Sequence, residues 1–187
     1  MKLLQLLPIG NVEDRLLEDL RPALEKTFHL PCSVLDTRLD PNFALHGERQ
    51  QYHSSQILQR MQSFLSGESW RMLGIAAVDL YIPILTFVFG EAQMGGPTAV
   101  MSAHRLHQQF YGLAANRELL LQRVVKEAVH ELGHTLNLTH CHDYSCAMAP
   151  SHAVEWIDLK NSTLCKGCRS AVEMRNGIAV GTARSHF

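Results

Sequence analysis

No apolar stretch in the sequence reaches the roughly 20 consecutive residues that a membrane-spanning helix requires, so no membrane-embedded segment is expected. Charge of one sign is equally scarce. Seventeen basic residues stand against eighteen acidic ones, for a net charge of −1, and no long run of like charges occurs. This excludes the basic tracks that hold nucleic acid and the polybasic patches that hold membrane surfaces. Internal repeats, low-complexity tracts and interdomain linkers are also missing. One domain is the expectation for 187 residues that are 46% apolar. The opening run, Met1 to Pro8, is short, interrupted by Gln5 and followed at once by Gly10, Glu13 and Asp14. It reads as a first strand rather than a secretory leader, and a cytoplasmic location is expected.

What the sequence has in excess is histidine, with eleven residues, and a cluster of cysteines near its end. Periodicity places these on a scaffold. Residues 2–8 read as a buried strand. Asn11 opens a helix to about Phe28, with Leu16, Leu17, Leu20 and Leu24 inward and a kink or break at Pro22. Cys32–Asp36 reads as a strand and Arg49–Leu65 as a helix, followed by strands at Met72–Asp79, Ile84–Phe89 and Thr98–Ser102. The order β-α-β-α-β-β-β predicts an α/β (α+β) fold, a mixed sheet with helices packed on it. Asn116 caps a further helix, with Glu118 in its first turn and a broad apolar face from Leu121 to Leu136. Beyond Leu138 regular periodicity ends.

His130-Glu131-Leu132-Gly133-His134 falls near the end of that last helix. Residues four apart lie one above the other, so His130 and His134 can share a metal ion. Glu131 is rotated about 100° from His130 and borders the site without being a ligand. Two imidazoles with an adjacent carboxylate suit zinc, which acidifies a water whose proton the carboxylate accepts. His140 would point away if the helix continued. It joins the site only if the chain turns, and Asn137 is a residue that readily takes the left-handed conformation ending a helix. Three histidines leave a fourth position open, a catalytic rather than a closed arrangement. The competing account is two surface histidines and a third placed by accident.

Cys141-x4-Cys146 and Cys165-x2-Cys168 form two half-sites. Four thiolates close a tetrahedral structural zinc site, with Lys166-Gly167 suiting a tight knuckle whose amides point at sulfur. Two disulfides are the rival, and they require an oxidising compartment. The fifth cysteine, Cys32, sits in a strand and reads as an inert small apolar residue.

His130-Glu131-x-x-His134-x5-His140 followed by Met148 resembles the metzincin pattern of zinc peptidases. With Cys141-x4-Cys146-x-Met148 and Cys165-x2-Cys168 it is similar to one branch, the archaemetzincins. Asp79–Pro83 and Phe87–Gln93 look like the same family, so the resemblance covers most of the chain. It implies a metzincin-like fold, a twisted mixed sheet over an active-site helix in residues 1–138, and a small zinc-stabilised C-terminal subdomain in 139–187. It implies two zinc ions per chain. One is catalytic, on His130, His134 and His140, with Glu131 as the general base that activates water. The other is structural, on Cys141, Cys146, Cys165 and Cys168. Met148 forms an apolar floor beneath the histidines, and Thr98–Ser102 is the expected edge strand to which a peptide adds. Metzincins usually carry glycine where this chain has Asn137. A monomeric metallopeptidase acting on peptides or proteins is expected. The alternative is a zinc-stabilised peptide-binding module that cuts weakly or not at all.

Overall fold

In the computed structural model, which describes residues 2–176, the elements run as follows. They are β1 (Leu3–Ile9), α1 (Asp14–Phe28), β2 (Cys32–Val34), β3 (Leu45–His46), β4 (Gln51–His53), α2 (Ser54–Met61), β5 (Ser69–Ala76), β6 (Leu80–Tyr81), β7 (Gly90–Ala92), β8 (Thr98–Ser102), α3 (Arg117–Thr135), α4 (Val154–Leu159) and α5 (Lys166–Asn176). The main sheet has five strands in the order β2-β1-β5-β8-β7, and β3-β4-β6 form a smaller one. The first four strands of the main sheet are parallel and β7 is antiparallel to β8.

Side chains of a strand alternate between the two faces of its sheet, and here both faces are apolar. Leu4, Leu6, Leu73, Ile75, Ala99 and Met101 pack with α1 and α3 on one side. Leu7, Ile9, Met72, Ala76 and Val100 pack with Ile57, Leu58 and Met61 of α2 on the other. The first of these cores also takes in Ala147, Met148, Val154, Ile157, Leu164 and Val172, so the segment after α3 closes over the same apolar interior. The last stretch of the expected C-terminal subdomain, 177–187, lies outside the described residues. No described helix is long and apolar enough to cross a membrane.

Several sequence-based expectations are corrected. Thr98–Ser102 is not an edge strand: all five residues are buried between β5 and β7, and β7 is the edge on that side of the sheet. Ile84–Phe89 is not a strand. It is a loop that leaves Ile84 91% exposed, held by Arg49, which donates to the Leu85 and Thr86 carbonyls. The second helix begins at Ser54 because Gln51–His53 pairs with β3 and β6 instead. Helix α1 starts at Asp14, with Glu13 rather than Asn11 at its cap, and runs unbroken through the exposed Pro22. Two helices, α4 and α5, form where no periodicity was evident.

Helix α3 carries the functional segment and spans about 28 Å at 1.5 Å per residue. The Asn116 side chain accepts from the Leu119 amide at 2.9 Å, as its position before the first turn predicts. At the other end Asn137 takes the left-handed conformation, with φ 65°. The Leu138 amide then reaches the Gly133 carbonyl at 3.1 Å and the Asn137 amide reaches that of His134 at 2.9 Å. This pair of bonds is the Schellman closure, and Leu138 folds back over Gly133 as its apolar contact. Left-handed backbone is tolerable for asparagine and poor for a β-branched residue. Asn137→Gly is therefore expected to raise unfolding free energy by no more than about 1 kcal/mol, and Asn137→Val to lower it by about 1–2 kcal/mol. Denaturant titration of the two variants checks this; a valine variant as stable as the parent would contradict the strain.

Candidate metal centre and active-site cleft

The reversal at Asn137 brings His140 back to His130 and His134, with ring centroids 4.7, 5.1 and 5.3 Å apart. One ring nitrogen from each lies within 4.8 Å of the others. The Nδ1 atoms of His130 and His134 are engaged elsewhere, each 2.8 Å from a backbone carbonyl, of Ala147 and Leu138 respectively. Donation from Nδ1 to those oxygens leaves both Nε2 lone pairs facing inward, 3.1 Å apart. Two nitrogens held about 2.0–2.1 Å from one tetrahedral zinc sit about 3.3 Å apart, so this pair fits the ion. Burial holds His130 well below its ordinary pKa, with the Lys160 ammonium and His134 adding to the effect. Burial also lowers His134 and His140. Neutral imidazoles are the form a metal needs.

Glu131 is buried and stands outside the three-histidine group. Its carboxyl group lies flat against the β7 backbone at Gly90, where any Cβ would fall 2.5 Å from Oε1. Burial, reinforced by the Glu127 carboxylate and opposed by Lys160, pushes its pKa well above the ordinary carboxylate range. Glu131 and the three histidines line one cleft of about 560 Å³. Apolar residues on the loop before β7 (Ile82, Leu85, Phe87) form one rim, and Pro150 to His152 another. Met148 is fully buried, and its Sδ occupies the space that a side chain at position 133 would fill. Gly133 is thus the residue that lets the turn at Met148 press against α3.

The four clustered cysteines bring their sulfurs within 4.8 Å of one another, and none of the chain's cysteines is in a disulfide. Cys141 and Cys165 Sγ are 3.8 Å apart, against about 3.8 Å for two thiolates on one tetrahedral zinc. Amides point at sulfur from Asp143 to Cys141, from Met148 and Cys165 to Cys146 and, across the Lys166-Gly167 knuckle, from Cys168 to Cys165, at 3.3–3.5 Å. Cys168 reaches the cluster from the first turn of α5, a helix the sequence did not announce. Cys32 is buried apart from them, its thiol pushed up to about 12 by burial. His142 is exposed and outside both clusters.

Sequence reasoning missed four positions around the site. Gly90 and Gly133 allow the close approaches just described. Glu127 lies one helical turn before His130 and Glu131, so its spacing was a usable signal. Lys160 carried no sequence signal, yet its Nζ is 2.7 Å from Glu127 Oε1 in the protein interior.

A sheet with both faces covered, a helix presenting two imidazoles and a carboxylate, a third imidazole returned by its terminal turn, and a sulfur cluster alongside define a zinc-dependent metallopeptidase. Residues 12–174 match peptidase family M54. The chain is 36% identical over 168 residues to the archaemetzincin of Methanocaldococcus jannaschii, covering 90% of this chain and 91% of that one. Among solved structures, a zinc-dependent peptidase from Methanocorpusculum labreanum superposes with a TM-score of 0.83 at 27% identity, over 90% of this chain and 99% of that one. The archaemetzincin of Archaeoglobus fulgidus gives 0.78 at 36% identity, over 91% and 99%. The chain belongs to peptidase family M54.

The histidine pKa shifts fix a pH dependence for the metal-stripped protein. His107 is also lowered by burial, so four folded-state histidines resist protons that an unfolded chain accepts near pH 6.5. Glu131 acts in the opposite sense, so the histidine contribution is isolated by making the comparison in the Glu131→Gln variant. As pH falls below about 6.5 the unfolded state binds more protons, and stability declines. The urea midpoint of the Glu131→Gln variant, freed of zinc at the histidines only, should be lower at pH 5.5 than at pH 7.5; an equal or higher midpoint would contradict the lowered histidine pKa values.

Proposed function

We propose that the chain hydrolyses peptide bonds at His130, His134 and His140, with Glu131 as general base and two zinc ions per chain. The observation that carries the proposal is the facing Nε2 pair of His130 and His134 beside the buried carboxyl of Glu131 on one cleft wall. Zinc bound at the three imidazoles supplies a Lewis acid for the scissile carbonyl and lowers the pKa of a water. Glu131 accepts a proton from the attacking water and passes it to the departing amine nitrogen as the carbon–nitrogen bond breaks. The substrate lies extended along the edge strand β7, adding to the sheet by backbone hydrogen bonds. Apolar side chains of the substrate meet Ile82, Leu85, Phe87 and Met94 on the cleft wall. Met148 backs the histidine-bearing turn of α3 from inside. Cys141, Cys146, Cys165 and Cys168 would hold the second zinc as four thiolates, a ligand set that leaves no position for substrate and would keep the segment after α3 in shape.

Glu131→Gln is expected to lower kcat on a peptide library at least about 100-fold while leaving the zinc content unchanged. Undiminished cleavage by that variant would remove Glu131 from the mechanism. Elemental analysis should find two zinc ions per parent chain and one in His134→Ala, with the folded spectrum kept. Cys165→Ser should instead impair folding. One ion per parent chain together with two disulfides would overturn the sulfur site.

A further inference from the structure

Lys160 and Glu127 are each only 2% exposed, and no step of the proposed hydrolysis uses either. A buried ion pair contributes little stability that two packed apolar side chains would not, because desolvating both charges offsets their attraction. What it adds is direction. Nor is this pair needed to dock α4 on α3. Arg123 already makes two bonds to Asp158, at 2.8 and 2.7 Å, and Lys126 donates to the Ile157 and Asp158 carbonyls, both at 3.0 Å.

Lys160 stands where three parts of the site converge. It follows the last residue of α4, and its Nζ lies 2.7 Å from Glu127 on α3 and 3.3 Å from the Ala149 carbonyl. Nζ is also 3.5 Å from His130 Nδ1. That nitrogen donates to the Ala147 carbonyl at 2.8 Å, so the ammonium sits beside the ring without taking a lone pair from it. Ala147 and Ala149 flank Met148. The ammonium therefore ties the turn at Met148 to the helical turn that bears His130, two residues away from the carbonyl that orients the ring.

We propose that Lys160 and Glu127 are a positioning pair for His130: their contact holds the Ala147–Ala149 turn against α3 and so aims His130 Nε2 at the metal. This rests on the reading of His130, His134 and His140 as a zinc site. Orienting partners of a metal ligand are worth about 10- to 100-fold in metal affinity.

The test is the double variant Glu127→Leu/Lys160→Met, which replaces the pair by apolar side chains and strands no buried charge. Its urea midpoint should stay close to that of the parent. Zinc affinity at the histidine site, from competition with a chromophoric chelator, should fall about 10- to 100-fold, and the visible spectrum of cobalt(II) loaded there should change. A double variant that folds, binds zinc within about twofold of the parent and keeps the cobalt spectrum would overturn the proposal and leave the pair a structural pin. If the double variant does not fold, Lys160→Met, which removes the ammonium and leaves Glu127 free to take up a proton, is measured by the same readouts and decided by the same results. A parent chain that takes up no zinc at the histidines defeats the site reading itself, an outcome distinct from a parent and variant that bind alike.

Discussion

One reversal of the backbone, at Asn137, carries the rest of the site. Helix α3 alone can present His130, Glu131 and His134, but a straight continuation would turn His140 away from them. The left-handed residue ends the helix and pairs two of its terminal carbonyls. It also sends the chain back so that the Leu138 carbonyl meets His134 Nδ1. A further terminal carbonyl bond comes from outside the helix. The Gly95 amide, in the turn between β7 and β8, donates to the His134 carbonyl at 3.0 Å. The sheet edge and the end of the histidine helix are thereby held to each other, which keeps the cleft wall in register with the imidazoles.

The two donor clusters are mechanically one unit. His140 and Cys141 are consecutive, and the Cys141 amide donates to the Met148 carbonyl at 2.9 Å. The Met148 amide points at Cys146 Sγ, while its side chain lies against Gly133 of α3. A single residue thus touches the sulfur cluster with its backbone and the histidine helix with its thioether. Distortion of the sulfur cluster would move the Ala147 carbonyl, and with it the ring of His130.

The histidines, the turn and the cysteines were legible in the sequence because local rules govern them: helical spacing for His130 and His134, backbone tolerance for Asn137, close pairs of thiols for the rest. The edge strand was misread because strand order is a tertiary property. Even so, Thr98–Ser102 carries no inward-outward alternation, and a strand of that kind belongs inside a sheet. Ile84–Phe89 has strand-like side chains, yet tethers from Arg49, some 36 and 37 residues away in sequence, hold its backbone in a loop. Lys160 was invisible for a related reason. A lone lysine after a short helix looks solvent-facing until the packing of α4 on α3 turns it inward. Gly90 and Gly133 act through the side chain they lack, which is evident only once Glu131 and Met148 are seen filling the space.

Anomalous diffraction at the zinc edge, from crystals of the zinc-loaded protein, addresses the central claim most directly. The account predicts a peak about 2.0–2.1 Å from the Nε2 atoms of His130 and His134 and bonded also to His140, with Asn137 left-handed beneath it. A peak held by two histidines alone, with His140 turned to solvent, or no peak at that position, would contradict it.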